Sequence, residues 1–175
     1  MGNGFLSRSI FFVFLSNAVP CAAGFDPGAD GETLRVRHDA SRQRTWYLVA
    51  GDGVYLQEGS SEALRRFQLP GWMNAVRTQA SDPDLVVEPD GAVLVSSNIV
   101  PDLWRVDAAA PAVTRLRFTL EQDATRDFGF ASLRFTAEGA LHAVGSIDGG
   151  AWRIDMGASR ARRHFAHPEV ARSAR

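Results

Sequence analysis

The sequence contains no lysine and a single cysteine, Cys21. One cysteine cannot form an intramolecular disulfide or a cysteine-ligated zinc site, so the chain excludes both. The 19 basic residues are all arginine, and the sequence has 20 acidic residues. The resulting net charge of -1 lacks the basic excess that is typical of nucleic-acid-binding proteins, so we expect no nucleic acid as a partner.

Long hydrophobic runs are also scarce. The main one, Ile-Phe-Phe-Val-Phe-Leu at residues 10–15, follows a single positive charge at Arg8 and is shorter than the about 20 residues of a membrane-spanning helix. Pro20 ends it, and Cys21-Ala22-Ala23 supplies small residues, which is typical of a signal peptide cleaved after Ala23. We therefore predict a periplasmic or secreted protein with no stable membrane insertion after cleavage. An uncleaved anchor and lipid attachment at Cys21 are the less favoured alternatives.

The remaining composition is that of a globular domain, with 45% hydrophobic and 22% charged residues. We expect a signal peptide at residues 1–23, a flexible acidic leader at 24–32, one folded domain at 33–167 and a disordered tail at 168–175. The acidic leader does not match a calcium-binding loop, because Gly28 and Arg37 occupy positions that need oxygen ligands.

An internal similarity at an offset of 48 residues is the strongest pattern in the sequence. Trp-Arg-Val-Asp at residues 104–107 recurs as Trp-Arg-Ile-Asp at 152–155, and Asp-Gly-Ala at 90–92 recurs as Glu-Gly-Ala at 138–140. A fainter copy begins near residue 53. A fixed period of 40 to 50 residues is typical of β-propeller blades or of helical arrays.

Alternation of apolar and polar residues, interrupted by glycine and proline, favours strands over helices in each unit. The predicted strands are residues 34–37, 45–50, 53–57 and 64–69, then 85–87, 92–97, 103–107 and 113–118, then 132–135, 140–145, 151–155 and 160–165. The predicted fold is therefore all-β, with three consecutive four-stranded antiparallel propeller-like blades.

These units resemble the blades of bacterial secreted β-propellers, such as the streptogramin lyase and gluconolactonase-like families. The resemblance rests on Asp90-Gly91, the apolar strand 93–95, the Trp-Arg-Val/Ile-Asp motif and Thr114-Arg115, and it covers residues 33–166. A closed propeller has four to eight blades. Three blades would be half of a six-bladed ring formed by two copies, part of a longer propeller, or a subunit capped by another protein. We therefore expect a protein partner or self-association through uncovered end blades.

Loops gathered at one face of a rigid scaffold are where function usually lies. The predicted site loops span residues 71–83, 98–102, 121–131 and 146–150. The candidate ligand-binding residues in them are Trp72, Asn74, Arg77, Asn98, Asp102, Arg126, Asp127 and Asp148.

Catalytic and metal-binding motifs are weak. His142 occupies an apolar position in its strand and is interpreted as a core histidine. The resemblance implies a divalent cation held by Asn and Asp side chains, but the sequence offers no matching glutamate. We predict no cofactor, with a divalent cation as the alternative. The predicted function is an exported, non-enzymatic binding or assembly module. The alternatives are a lactonase- or streptogramin-lyase-like enzyme that is active as a closed ring, and a truncated remnant of a longer propeller.

Overall fold

The computed structural model describes residues 32–75, 81–121 and 129–165. These residues form strands and no helix, so no helix in the described ranges could cross a membrane. The predicted signal peptide, the leader up to residue 31 and the tail lie outside the described residues. The all-β class predicted from the sequence is confirmed.

The strands form three sheets in chain order. The first sheet contains β1 (Thr33–Asp39), β2 (Arg44–Val49), β3 (Gly53–Glu58) and β4 (Leu64–Phe67). The second contains β5 (Leu85–Val87), β6 (Val93–Ser96), β7 (Asp102–Asp107) and β8 (Ala112–Arg117). The third contains β9 (Thr119–Glu121), β10 (Phe130–Phe135), β11 (Leu141–Gly145), β12 (Ala151–Asp155) and β13 (Arg160–Phe165). The first two sheets are antiparallel throughout, with neighbours in sequence paired.

Short turns set the pairing of successive strands. Between β5 and β6 the Asp90 carboxylate accepts a hydrogen bond from the Ala92 N–H at 3.0 Å. Gly91 adopts a φ of 92°, a region that residues with a Cβ rarely enter. The Glu88 N–H then donates to the Ala92 carbonyl at 2.8 Å, which closes the turn. The Asp-Gly pair seen in the sequence therefore fixes this hairpin.

The second sheet lies between the other two and is covered on both faces. All four residues of β6 are buried, because a central strand in such a layer contacts protein on each side. The first apolar layer joins the first and second sheets, and its largest members are Trp46, Phe67, Leu85, Leu56 and Trp104. The second layer joins the second and third sheets, and its largest members are Leu94, Leu103, Phe130, Leu141 and Trp152.

The third sheet departs from the predicted four-stranded antiparallel unit. The short strand β9 follows the second sheet in the chain but pairs in parallel with β13, with Thr119 opposite Arg160. Leu120 packs against the second apolar layer, and Glu121 forms an ion pair with Arg162, so both side chains hold β9 on this sheet. The sheet is therefore mixed and has five strands.

The resemblance to the streptogramin lyase and gluconolactonase-like propellers is wrong. The three sheets of the described chain are open and form no closed ring. The predicted 48-residue repeat is likewise not supported. Trp104 and Trp152 both lie on the third strands of their antiparallel runs, but the third sheet carries the additional strand β9, so the units are not equivalent.

Candidate functional site

Loops from all three sheets meet at one end of the molecule in a hydrogen-bonded arrangement that we name the loop layer (residues 50–52, 70–75, 81–84, 97–101, 129 and 146–150). The Gly51 N–H donates to the Asn74 side-chain oxygen at 3.1 Å. The Ser146 hydroxyl donates to the Asn98 carbonyl at 2.9 Å, which connects the third sheet to the second. The structure thus brings together the described parts of the loops that the sequence predicted as a site.

Asn98 is the centre of the loop layer and is only 1% exposed. Its side-chain oxygen accepts a hydrogen bond from the Ala75 N–H at 2.9 Å, and its side-chain nitrogen donates to the Ala75 carbonyl at 2.7 Å. The neighbouring Ser97 hydroxyl donates to the Met73 carbonyl at 2.7 Å. Buried polar groups need such partners, so these bonds fix the path of residues 73–75.

Trp72 and Asn74 lie in the same connection between the first and second sheets. The Trp72 indole N–H donates to the Ser96 carbonyl at 2.9 Å, and its ring packs against the first apolar layer. Asn74 supplies its oxygen to Gly51, as described above. Arg77, Arg126 and Asp127, which the sequence also predicted as site residues, lie outside the described residues.

Asp102 begins β7 and is 8% exposed. Its carboxylate accepts hydrogen bonds from the guanidinium of Arg115 on β8, with the Arg115 Nε 2.7 Å away. That guanidinium also lies over the Trp104 ring, 5.1 Å from its centroid. The pair borders a cleft of about 440 Å³, whose lining residues are Val100, Pro101, Asp102, Arg115, Phe118, Thr119 and Leu120.

Asp148 repeats this arrangement in the third sheet. Its carboxylate accepts a hydrogen bond from the Gly150 N–H at 2.9 Å and forms an ion pair with Arg163 at 2.6 Å. The Arg163 guanidinium lies 5.9 Å from the centroid of the Trp152 ring. In the first sheet, Asp52 and Arg66 form the corresponding ion pair.

Each sheet therefore carries one ion pair between an aspartate near the start of β3, β7 or β12 and an arginine on the strand that follows. Sequence reasoning found Asp102 and Asp148 but missed the arginines. The available signal was an arginine 13 to 15 residues after each aspartate.

Asp84 contacts residues of the first and third sheets, and sequence reasoning also missed it. It lies just before β5, is 3% exposed, and accepts a hydrogen bond from Arg37 of the first sheet at 2.7 Å. Arg35 lies 3.3 Å from the same oxygen, and the Leu133 N–H of the third sheet donates to the other oxygen at 2.8 Å. One buried carboxylate next to β5 thus connects β1 of the first sheet with β10 of the third sheet.

A second charged cluster surrounds Arg105 on β7. Its guanidinium contacts Glu88 at 2.6 Å and Asp90 at 2.5 Å, and lies 3.7 Å from Asp107. Burial raises the pKa of the Glu88 carboxyl above its ordinary value, although the charge of Arg105 acts in the opposite direction. Hydrogen bonds from the backbone N–H groups of the following turn hold the pKa of Asp107 below its ordinary value.

The central polar side chains of the loop layer, at positions 74, 97, 98, 102 and 148, are engaged with neighbouring groups. Its carboxylates at positions 52, 102 and 148 are each neutralised by an arginine. In residues 32–75, 81–121 and 129–165, no three His, Cys, Asp or Glu side chains converge as metal ligands would.

An exposed charged surface lies elsewhere, on the face of the third sheet that is turned away from the second sheet. We name it the outer face, and define it by Arg134, His142, Arg153 and Arg162. The three arginines are exposed and the histidine is half-buried. No sequence prediction pointed to this surface, although each residue was visible in a predicted strand.

No protein-family model matches this sequence, and no curated protein sequence is significantly similar to it. The fold is similar to part of a solved structure, the extracellular domain of a putative hybrid two-component system from B. thetaiotaomicron. The TM-score is 0.51 at 16% sequence identity, over 75% of this chain and 17% of the other. This chain therefore shares its fold with about a sixth of that longer domain. The similar structure is not that of a streptogramin lyase or of a gluconolactonase-like enzyme.

Proposed function

We propose that this protein is a non-enzymatic binding or assembly module that acts outside the cytoplasm and takes a protein as its partner. In this proposal the three sheets are successive propeller-like units of an open array, and the outer face is the surface offered to the partner. The observation that carries the proposal is the exposure of Arg134, Arg153 and Arg162 on one face of the third sheet.

The packing of the three sheets supports an assembly role. The second sheet has apolar layers on both faces, whereas the third sheet contributes its apolar side chains to one layer only. Its outer face carries charged side chains in place of a second apolar layer. Charged, exposed sheet faces suit association that is selective for the partner's charge.

The engagement of the loop layer supports binding rather than catalysis. Catalytic acids and bases must be able to reach a substrate, but Asp102 and Asp148 are held by arginines, and Asn98 is held by the half-buried backbone of Ala75. A scaffold fixed in this way reduces the conformational entropy lost on binding. The ligand-binding role predicted for the loop residues themselves stays a prediction.

The structural neighbour supports a location outside the cytoplasm. It is an extracellular domain, and the fold of this chain corresponds to a part of it. The signal-peptide pattern at residues 1–23 supports the same location from the sequence. Neither a cofactor nor a bound cation is part of the proposal.

The proposal predicts that the protein is part of a complex in its own cells. Its native size can be measured by size-exclusion chromatography of a detergent-free extract and of the culture medium, with detection by immunoblot. We expect elution at a mass well above the 19.0 kDa of one full chain. Reversing two charges of the outer face, Arg134→Glu with Arg153→Glu, should shift the protein to the position of a single chain.

The matched control is Arg117→Glu, an equally exposed arginine on β8 of the second sheet. This variant should elute with the native complex. Elution of the native protein at the mass of one chain would contradict the proposal, as would a complex that survives charge reversal on the outer face.

A further inference from the structure

The outer face carries a row of basic side chains that is set by strand register. Arg134 on β10 lies opposite His142 on β11, His142 lies opposite Arg153 on β12, and Arg153 lies opposite Arg162 on β13. Adjacent strands are about 4.8 Å apart, so the row crosses roughly 14 Å of the sheet. Like charges directly opposite each other on neighbouring strands are destabilising, so the row needs compensation from elsewhere.

Only one end of the row is compensated within the described chain. Glu121 of β9 contacts Arg162 at 2.8 Å and Arg160 at 3.8 Å. Arg134 and Arg153 form no ion pair or hydrogen bond with any residue that the structure describes.

The other described titratable groups of the outer face form no ion pair with Arg134 or Arg153. The His164 ring lies against the His142 ring, with the centroids 5.9 Å apart. The Asp155 carboxylate accepts a hydrogen bond from the Ala158 N–H at 2.9 Å in the turn that follows β12. Within the described residues, Arg134 and Arg153 thus have no ion-paired partner.

A cleft of about 450 Å³ lies beside this row. Arg153, Arg162 and Asp155 line it together with apolar side chains, namely Phe135, Leu141, Ile154 and Met156. The volume is within the range of about 300–1,000 Å³ that is typical of ligand sites. Leu141 and Ile154 are buried in the second apolar layer, so the accessible apolar surface next to the two guanidinium groups comes from the half-buried Phe135 and Met156.

We infer that the outer face binds an acidic peptide segment of the partner protein, with carboxylates on the arginine row and an adjacent apolar side chain in the cleft. The inference rests on the proposed function and names the partner's chemistry. A guanidinium matches a carboxylate with two parallel hydrogen bonds, and Arg134 and Arg153 have their donors available for such pairs.

Other polyanions fit the outer face less well. A nucleic acid presents phosphates continuously, whereas this surface has two uncompensated arginines, a carboxylate at the rim of its cleft and no general basic excess in the chain. Adsorption to anionic lipid generally requires a cluster of about four to eight basic residues, because each contributes only about 1 kcal/mol. A peptide with acidic and apolar side chains uses both parts of the surface.

The test measures binding of the purified protein to a fluorescent synthetic peptide that is rich in glutamate and has one central leucine. Fluorescence anisotropy gives the dissociation constant. We expect Arg153→Glu and Arg134→Glu each to weaken binding by about tenfold or more, because each replaces an attraction with a repulsion. Arg117→Glu should bind like the native protein, and binding should weaken as salt is added.

Two peptide variants test the two parts of the surface separately. Replacing the glutamates by glutamine should abolish binding, and replacing the leucine by serine should weaken it if the cleft holds that side chain. Arg153→Gln removes the charge without reversing it and should give an intermediate affinity. Thermal denaturation of each variant confirms that it is folded, which is expected because the substituted side chains are exposed.

Equal affinity of the native protein and the outer-face variants would overturn the inference, as would the absence of binding. Tighter binding of a single-stranded DNA oligonucleotide, or of vesicles containing phosphatidylglycerol, would also overturn it. Absence of peptide binding together with a native complex that depends on the outer face would refute the acidic peptide and leave the proposed function standing. If the protein bound the peptide but eluted as a single chain from its own cells, the proposed function would be refuted and the affinity of the outer face for acidic peptides would stand.

Discussion

Removing the Asp84 carboxylate should loosen all three sheets at once, because that group contacts each of them. In Asp84→Ala the buried N–H groups of Leu85 and Leu133 lose their acceptor, and Arg35 and Arg37 lose their counter-charge. Each buried N–H without a partner costs about 1–3 kcal/mol. The two arginine side chains are 31% and 40% exposed and can be hydrated, so their loss adds about 1 kcal/mol or less.

With each N–H at the lower end of that range and about 1 kcal/mol from the arginines, the expected loss of unfolding free energy for Asp84→Ala is about 3 kcal/mol. For a chain of this size that corresponds to a fall in Tm of roughly 6–12 °C. Urea denaturation followed by tryptophan fluorescence gives the free energy, and differential scanning calorimetry gives the Tm. Asp84→Asn keeps the size of the side chain and one acceptor oxygen, so we expect a smaller loss of about 1–2 kcal/mol.

The control is Asp82→Ala, an exposed aspartate two residues earlier. It should change the free energy by no more than about 0.5 kcal/mol. If Asp84→Ala lost less than about 1 kcal/mol, or no more than the control, the reasoning that one carboxylate joins the three sheets would be refuted.

Three further predictions concern stability. Asn98→Ala should cost about 1–3 kcal/mol in urea denaturation, because it leaves the half-buried N–H and carbonyl of Ala75 without partners; a loss below about 0.5 kcal/mol would contradict this. Gly129→Ala should cost about 3 kcal/mol or more, because its Cβ would lie 1.9 Å from the Ser97 carbonyl oxygen. The matched Gly139→Ala change places its Cβ in open space and should cost only about 1–2 kcal/mol, because of the positive φ. Equal losses of unfolding free energy in the two variants would contradict the predicted clash at Gly129. Burial raises the folded-state pKa of Glu88 above its ordinary value, so its contribution to stability is present below the unfolded-state pKa and is lost as the pH rises through the folded-state pKa. In Glu88→Gln, the unfolding free energy measured from about pH 4 upward should no longer show this pH-dependent loss. A pH dependence equal to that of the native protein would contradict the role assigned to Glu88.

The strands could be predicted from the sequence because their signals are local. Val93, Leu94 and Val95 are an apolar run bounded by Asp90-Gly91, and all three are buried in β6. Strand β9 could not be predicted, because three residues give too little pattern and their partner β13 lies about 40 residues later in the chain.

The contacts that organise the candidate surfaces are long-range, and for that reason the sequence did not reveal them. Asp84 follows Asp82-Pro83 and looks like another loop acid, yet its partners Arg37 and Leu133 lie 47 and 49 residues away. The basic row depends on the register of four strands, and a shift of one residue would turn its side chains to the opposite face of the sheet.

The location of the bound peptide is the most direct test of the claim that the outer face is the partner-binding surface. Backbone amide chemical shifts of the isotope-labelled protein, recorded by NMR during titration with the acidic peptide, report that location residue by residue. The account predicts the largest shifts along β10 to β13 at Arg134, His142, Arg153 and Arg162, with Asn98 and Asp102 unchanged. Shifts concentrated in the loop layer, with β10 to β13 unaffected, would contradict it.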